Sequence, residues 1–210
     1  MINFKTYKQG EAVLKLAKKI ERISEDIIIG AQPTDIYFLS KKTKLKIYSQ
    51  HTDYFEPGRN TGFILPEAIK TNGGKGVLLN HSEHKLSFDT LKKTIKRCKK
   101  VGLKTAVFAS NLKEAQKIEK LRPHYLIIEP PELVAGKISV SQAKPQLIKN
   151  LSKKLRMSFL VGAGIHSKED VEISLKLGAK GIAVSSFVTK ARKPEKALKE
   201  LIRGFKSIMI

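Results

Sequence analysis

The stretch Tyr125-Leu-Ile-Ile-Glu129-Pro-Pro-Glu132-Leu-Val134-Ala-Gly136-Lys137 decides how the chain is read. Four residues of apolar character carry a carboxylate, Glu129, to the end of a run that two prolines stop at once. Proline fixes its own φ and disfavours the helical region for its predecessor, so Glu129 stands where a buried strand opens into a constrained loop. Ala135 and Gly136 then let that loop change course. A carboxylate at the C-terminal end of a barrel strand, under a loop able to cover it, suits a general base. The same residues would also serve as a solvated strand end, so the neighbouring segments have to decide.

Outward from this run, one unit repeats. Before it lie apolar strand patterns at residues 27–31, 46–51, 76–80 and 104–109, preceded by a very short apolar start that ends at Asn3. After it lie 158–162 and 181–184. Helical patterns separate them at 11–23, 36–40, 66–70, 88–101, 112–121, 145–155, 168–177 and 194–206. In the first of these, Val13, Leu14, Ala17, Ile20 and Ile23 fall on one face. Pro66 opens a helix, where its missing N–H costs nothing, while Gly102 and Gly178 close two others. Strands that run as unbroken apolar stretches are covered on both faces, as in parallel sheets. Eight such alternations without a linker predict an α/β fold, a compact (β/α)8 barrel occupying residues 1–210 as a single domain.

Composition narrows the partners. Hydrophobic residues at 41% and charged residues at 29% fit a globular protein, and no apolar run approaches the ~20 residues that span a bilayer. No membrane partner is expected. The first residues lack a signal-peptide core, and a lone cysteine, Cys98, forms no internal disulfide, so a cytoplasmic location is expected. Lys and Arg number 41 against 19 Asp and Glu, a formal charge of +22. These cations are spread along the chain, with no basic tail, zinc-finger spacing or aromatic RNA-binding cluster. An anionic small-molecule substrate accounts for the excess without a specific nucleic-acid partner.

In such a barrel the reacting groups collect at the C-terminal ends of the strands. Those ends supply Asn3 and Lys5, then Asn80, His81 and Glu83, then Glu129, then Gly162-Ala-Gly164, then Ser185-Ser186. A lysine, a histidine, a carboxylate and two small-residue turns form a coherent set for proton transfer beside the carbonyl of a phosphorylated substrate. His51, His84, His124 and His166 show no metal-ligand spacing and read as ordinary polar histidines. Gly162-Ala-Gly164 lacks the third glycine of a dinucleotide fingerprint, and Gly73-Gly74-Lys75-Gly76 has the wrong spacing for a nucleotide phosphate loop. Neither metal nor cofactor is expected. Backbone approach to a phosphate remains a use for Gly162 to Gly164.

Five segments, in order, carry a resemblance: Asn3-Phe-Lys-Thr-Tyr, Asn80-His-Ser-Glu83, Glu129-Pro-Pro-Glu-Leu, Ser139-Val-Ser-Gln-Ala-Lys-Pro and Val161-Gly-Ala-Gly-Ile. The chain resembles the triosephosphate isomerase family in its short, archaeal form, from Asn3 to about Leu201. The resemblance implies a TIM barrel that interconverts dihydroxyacetone phosphate and D-glyceraldehyde 3-phosphate, a step of glycolysis and gluconeogenesis. It implies Glu129 as the base, His81 as a neutral imidazole electrophile, Lys5 as a charge on enediolate and phosphate, and Asn3 as a hydrogen-bonding partner. That acid–base logic is a known worked case. Glu83 would hold Lys5, and Val134, Gly164, Ser185 and Ser186 would touch substrate through their backbone. Residues 130–137 would form a lid.

The chain also departs from the family pattern. Ala135-Gly136-Lys137 stands where the family's lid reads Gly-Thr-Gly, Phe187 replaces a glycine beside the phosphate position, and Phe108 replaces a common cysteine. A barrel with reduced or lost turnover, kept as an anion-binding scaffold, is the alternative these departures raise. Thr61-Gly62 matches the loop that reaches into a neighbouring subunit, implying a homodimer. Lys92, Lys93, Lys96, Arg97, Lys99 and Lys100 on the fourth long helix would oppose like charges in a homotetramer, which is the runner-up.

Overall fold

The structure, a computed structural model, describes residues 1–134, 136 and 138–208. Seven parallel strands follow one another in chain order: β1 (Ile2–Asn3), β2 (Ile28–Ala31), β3 (Lys46–Ser49), β4 (Gly76–Leu79), β5 (Lys104–Ala109), β6 (Tyr125–Ile128) and β7 (Phe159–Val161). Residues 181–184 join the two edges of this sheet. Ile182 bridges Val161 and Val184 bridges Ile2, both in parallel register. The Ala183 N–H donates to the Val161 carbonyl at 2.8 Å, and the Asn3 N–H to the Val184 carbonyl at 2.8 Å. The expected eighth strand is thus a pair of bridges rather than a ladder, and through it the barrel closes.

Helices cover the outside: α1 (Glu11–Glu21), α2 (Ile36–Lys42), α3 (Pro66–Thr71), α4 (Phe88–Lys100), α5 (Leu112–Glu119), α6 (Val140–Ala143), α7 (Pro145–Lys154), α8 (Lys168–Lys176), α9 (Ser186–Thr189) and α10 (Pro194–Lys206). The eight longer ones follow the apolar periodicity. The four-residue α6 and α9 do not, because one turn is too short to show a period. α8 starts at a capping box in which the Ser167 hydroxyl accepts from the Asp170 N–H and the Asp170 carboxylate returns to the Ser167 N–H.

Two apolar layers result. Tyr48, Leu78, Ala106, Phe108, Ile127 and Ala183 fill the barrel interior, while Val77 and Leu79 point outward into the sheet–helix layer. Alternate residues of one strand face opposite sides, and β4 therefore feeds both layers. Each fully buried Leu or Ile contributes about 1.5–3 kcal/mol. The filled interior leaves the strand C-termini as the place for a polar cavity. No helix among the described residues is long and apolar enough to cross a membrane.

Candidate active site

A cavity of ≈ 320 Å³ opens at the C-terminal end of the barrel. Asn3, Lys5, His81, Glu129, Val134, Gly164, Ser185 and Ser186 all line it. They come from five βα connections and meet only because the barrel closes. Two of the sequence candidates lie elsewhere. Glu83 stands behind Lys5, and Thr61 is exposed in the connection between β3 and α3, outside the cavity lining.

His81 is buried and points its two nitrogens at different partners. Nδ1 accepts from the Glu83 N–H at 3.1 Å, so it bears a lone pair and leaves the proton to Nε2. Nε2 lies 2.8 Å from Glu129 Oε2. That approach is out of line with the ring N–H, and Oε2 has no hydrogen-bond partner among the described residues. Ser185 Oγ is likewise buried and unpartnered. Buried polar atoms are rarely left so, and both belong to residues that line the cavity. Phe108 packs its ring edge-on against the imidazole, with centroids 4.8 Å apart, and shields one side of it from water.

The first connection is held in a strained form. Lys5 has φ 48°, which is uncommon for a residue with a side chain. Its N–H donates to Asn3 Oδ1 at 3.0 Å, and Gln50 Nε2 donates to the Lys5 carbonyl at 2.9 Å and to Asn3 Oδ1 at 3.2 Å. These bonds fix the backbone that aims the Lys5 ammonium, which sits 2.6 Å from Glu83 Oε1. Glu83 therefore serves both neighbours: its carboxylate holds Lys5, and its N–H orients His81. Asn80, at φ 62°, is not a cavity residue but a brace. Its amide donates to the Phe108 carbonyl and to Glu114, and its oxygen accepts from the Leu86 N–H.

On the opposite side, Gly162 and Gly164 have packing reasons of their own. A Cβ at Gly162 would meet Glu129 Oε1 at 2.8 Å, so this glycine makes room for the carboxylate. Gly164 adopts φ 68°, and a Cβ there would run into the Ile138 carbonyl oxygen. β6 stops ahead of the prolines as expected, and the segment proposed as a lid begins with a 3-10 turn, Pro131–Leu133, that Pro131 opens. The Gly136 N–H donates to the Leu133 carbonyl at 3.0 Å. The substitutions noted at Ala135 and Lys137 lie outside the described residues.

Periodicity did not mark Gln50, Asp170 or Lys190. Asp170, fully buried, accepts from Ser139 Oγ at 2.5 Å, Gln142 Nε2 at 2.7 Å and the N–H groups of His166 and Ser167 at 3.1 Å. It ties residues 139–142 to the turn after β7. Burial pushes its carboxyl up, but the bonds from Ser139, His166 and Ser167 outweigh this and hold it below the ordinary value. His166, set aside as an ordinary polar histidine, lines the cavity beside Phe187. The Ser-x-x-Asp spacing of the cap was the available signal for Asp170. Among the described residues, no group of three or more His, Cys, Asp or Glu could hold a metal ion.

The arrangement can move a proton between adjacent carbons of a small phosphorylated molecule, with a carboxylate as base and an N–H aimed at a carbonyl. Comparison with known proteins agrees. The family model described as Triosephosphate isomerase matches residues 1–204. The triosephosphate isomerase of Saccharolobus solfataricus is 42% identical over 96% of this chain and 93% of its own. That of Methanocaldococcus jannaschii is 38% identical over 97% and 98%. The crystal structure of triosephosphate isomerase from Bartonella henselae superposes with a TM-score of 0.77, covering 98% of this chain and 97% of that one, at 15% identity. At that identity the last likeness speaks for the barrel alone.

Proposed function

The chain belongs to the triosephosphate isomerase family, and on that premise we propose that Glu129, His81, Lys5 and Asn3 are the groups with which it interconverts dihydroxyacetone phosphate and D-glyceraldehyde 3-phosphate. It is an intramolecular aldose–ketose isomerase acting on a triose phosphate. The Glu129 carboxylate takes a proton from the carbon next to the carbonyl. The His81 Nε2–H donates to the carbonyl oxygen as negative charge develops there, giving an enediolate. Glu129 returns the proton to the former carbonyl carbon, while His81 Nε2 gives its proton to the former carbonyl oxygen and takes the one on the neighbouring hydroxyl, so that one oxygen becomes the hydroxyl as the other becomes the new carbonyl. The Lys5 ammonium offsets charge on the enediolate and the phosphate, and the Asn3 amide orients Lys5 and faces the substrate. Stabilising charge where it develops is the largest contribution in a site of this kind.

One observation carries the assignment of roles: the proton-bearing Nε2 of His81 lies 2.8 Å from an unpartnered oxygen of Glu129 inside the cavity. Turnover of glyceraldehyde 3-phosphate by the purified protein tests it, with Glu129→Gln and His81→Ala beside the wild type. Losses of roughly 10²–10⁴ in kcat are expected, the usual range for a positioned acid or base. Wild-type activity indistinguishable from either variant would overturn the assignment. No observation favours the scaffold reading.

A cytoplasmic homodimer is the assembly this reading takes, built on the loop carrying Thr61. Phe63, exposed in that loop, supports it. The homotetramer stays the runner-up. Of the six cations on α4, Lys93, Arg97, Lys99 and Lys100 already have partners in Asp89, Glu67, the Leu121 carbonyl and Glu56. That pairing weakens the expected like-charge repulsion between α4 faces. A solution mass near two chains is the expected result, and one near four would replace the dimer.

A further inference from the structure

Beyond the four proposed catalytic groups, one further lysine among the described residues lines the cavity, Lys190. The electrostatics of the site give it significance. Lys5 is paired with Glu83 at 2.6 Å, and Glu129 adds a negative charge of its own. A phosphomonoester dianion entering this cavity therefore meets one cation already matched by a carboxylate, and a second carboxylate nearby. Lys190 is unlike Lys5. Among the described residues, the lysines paired with carboxylates are Lys5, Lys19, Lys44, Lys46, Lys85, Lys93, Lys100, Lys144 and Lys168, and Lys190 is not one of them.

The side chain of Lys190 is also placed. Its Nζ lies 5.5 Å from the centroid of the Tyr7 ring, within the range where an ammonium is attracted to an aromatic face. Tyr7 itself lines the cavity, two residues beyond Lys5. Lys190 follows α9, its N–H donating to the Ser186 carbonyl at 3.0 Å. The contact thus joins the first connection of the barrel to the last, on the side where Ser185 and Ser186 lie. A lysine whose only task was to sit at the end of α9 would need neither the ring nor the cavity.

We propose that Lys190, seated on the Tyr7 ring, is a substrate-binding residue that supplies a second cation to the phosphate dianion of the triose substrate, with Tyr7 as its positioning residue. The proposal rests on the isomerase reading above and concerns the substrate's anionic end, not the reacting carbons. It adds to Lys5 a charge paired with no carboxylate among the described residues.

The test is steady-state kinetics with glyceraldehyde 3-phosphate, with inorganic phosphate as a competing anion. Lys190→Met is expected to raise KM about fivefold, equivalent to about 1 kcal/mol, with kcat held within about twofold. The inhibition constant of inorganic phosphate should rise by the same factor. Lys190→Arg should restore both, Tyr7→Leu should raise KM with kcat kept, and the wild-type KM should climb more steeply with salt than that of Lys190→Met. Lys190→Gln serves in its place should the methionine variant fail to fold. A KM and a phosphate inhibition constant equal to the wild type's would overturn the proposal. Should the wild type not isomerise the triose at all, the isomerase reading fails by itself. Calorimetric titration of wild type and Lys190→Met with inorganic phosphate then decides separately, and equal affinities overturn it.

Discussion

The Glu83 N–H donates to Nδ1 of His81 at 3.1 Å, and this one bond decides which imidazole nitrogen faces the chemistry. A nitrogen that accepts a hydrogen bond cannot carry the proton, so Nε2 does, on the side of Glu129. The Glu83 carboxylate meanwhile pairs with Lys5. A single residue thereby sets the orientation of the imidazole and the position of the Lys5 ammonium, through its backbone and its side chain respectively.

Shortening the base tests how finely the carboxylate is placed. Glu129→Asp keeps the charge and withdraws it by one methylene, about 1 Å or more from its station. A misplacement of that size costs roughly 10²-fold. The expected outcome is a fall of about that factor in kcat, with KM little changed. A kcat within a few-fold of wild type would show that the exact reach of Glu129 is immaterial.

Gly162 should also be sensitive to substitution, although it does no chemistry. A Cβ here would lie 2.8 Å from Glu129 Oε1 and 3.1 Å from the Ala183 carbonyl. The carboxylate is the softer of the two and must move. Gly162→Ala should lower kcat by about one to two orders of magnitude, by the same positional argument, while a circular-dichroism spectrum keeps the barrel's signature. An unchanged kcat would mean that the carboxylate relaxes without loss.

Asp170 links residues 139–142 to the turn that follows β7 and is not itself among the cavity-lining residues. Asp170→Asn keeps the shape but replaces an acceptor by a donor opposite the N–H groups of His166 and Ser167. Leaving such partly buried donors unpaired costs up to about 1–3 kcal/mol, which thermal or urea unfolding would read. Its carboxyl is held below the ordinary value, so the carboxylate's contribution is complete above about pH 4 and is lost as pH falls through the folded-state value. The asparagine variant should lose that part of the acid sensitivity.

His51 governs a milder range. Burial lowers its tendency to take a proton, Asp53 opposes this, and the stacked His84 ring, 4.2 Å away, reinforces it. The folded-state value lies below that of the unfolded chain, near 6.5, so the unfolded chain binds the proton first as pH falls. The stability that this histidine confers is complete above about pH 6.5 and declines below it until the folded state is protonated too. The thermal midpoint should therefore drop between about pH 7 and 5.5, and less steeply in His51→Asn. Parallel curves for the two proteins would assign the effect elsewhere.

Much of the molecule is legible without coordinates. The run 125–129 stops at its prolines, β4 ends at Leu79 just before Asn80 and His81, and α10 occupies Pro194–Lys206 as its apolar spacing predicts. These features depend on neighbours a few residues apart, where periodicity, proline and glycine act directly. The stretch from Tyr125 to Val134 thus determined that a carboxylate would stand at a strand end below a loop. What surrounds that carboxylate was a tertiary matter. Gly162 clears its space, His81 meets its oxygen, and Gln50 braces Asn3 from 47 residues away. Contacts of that span leave no local pattern, because they exist only once strands distant in sequence have closed the barrel and brought their ends to one mouth.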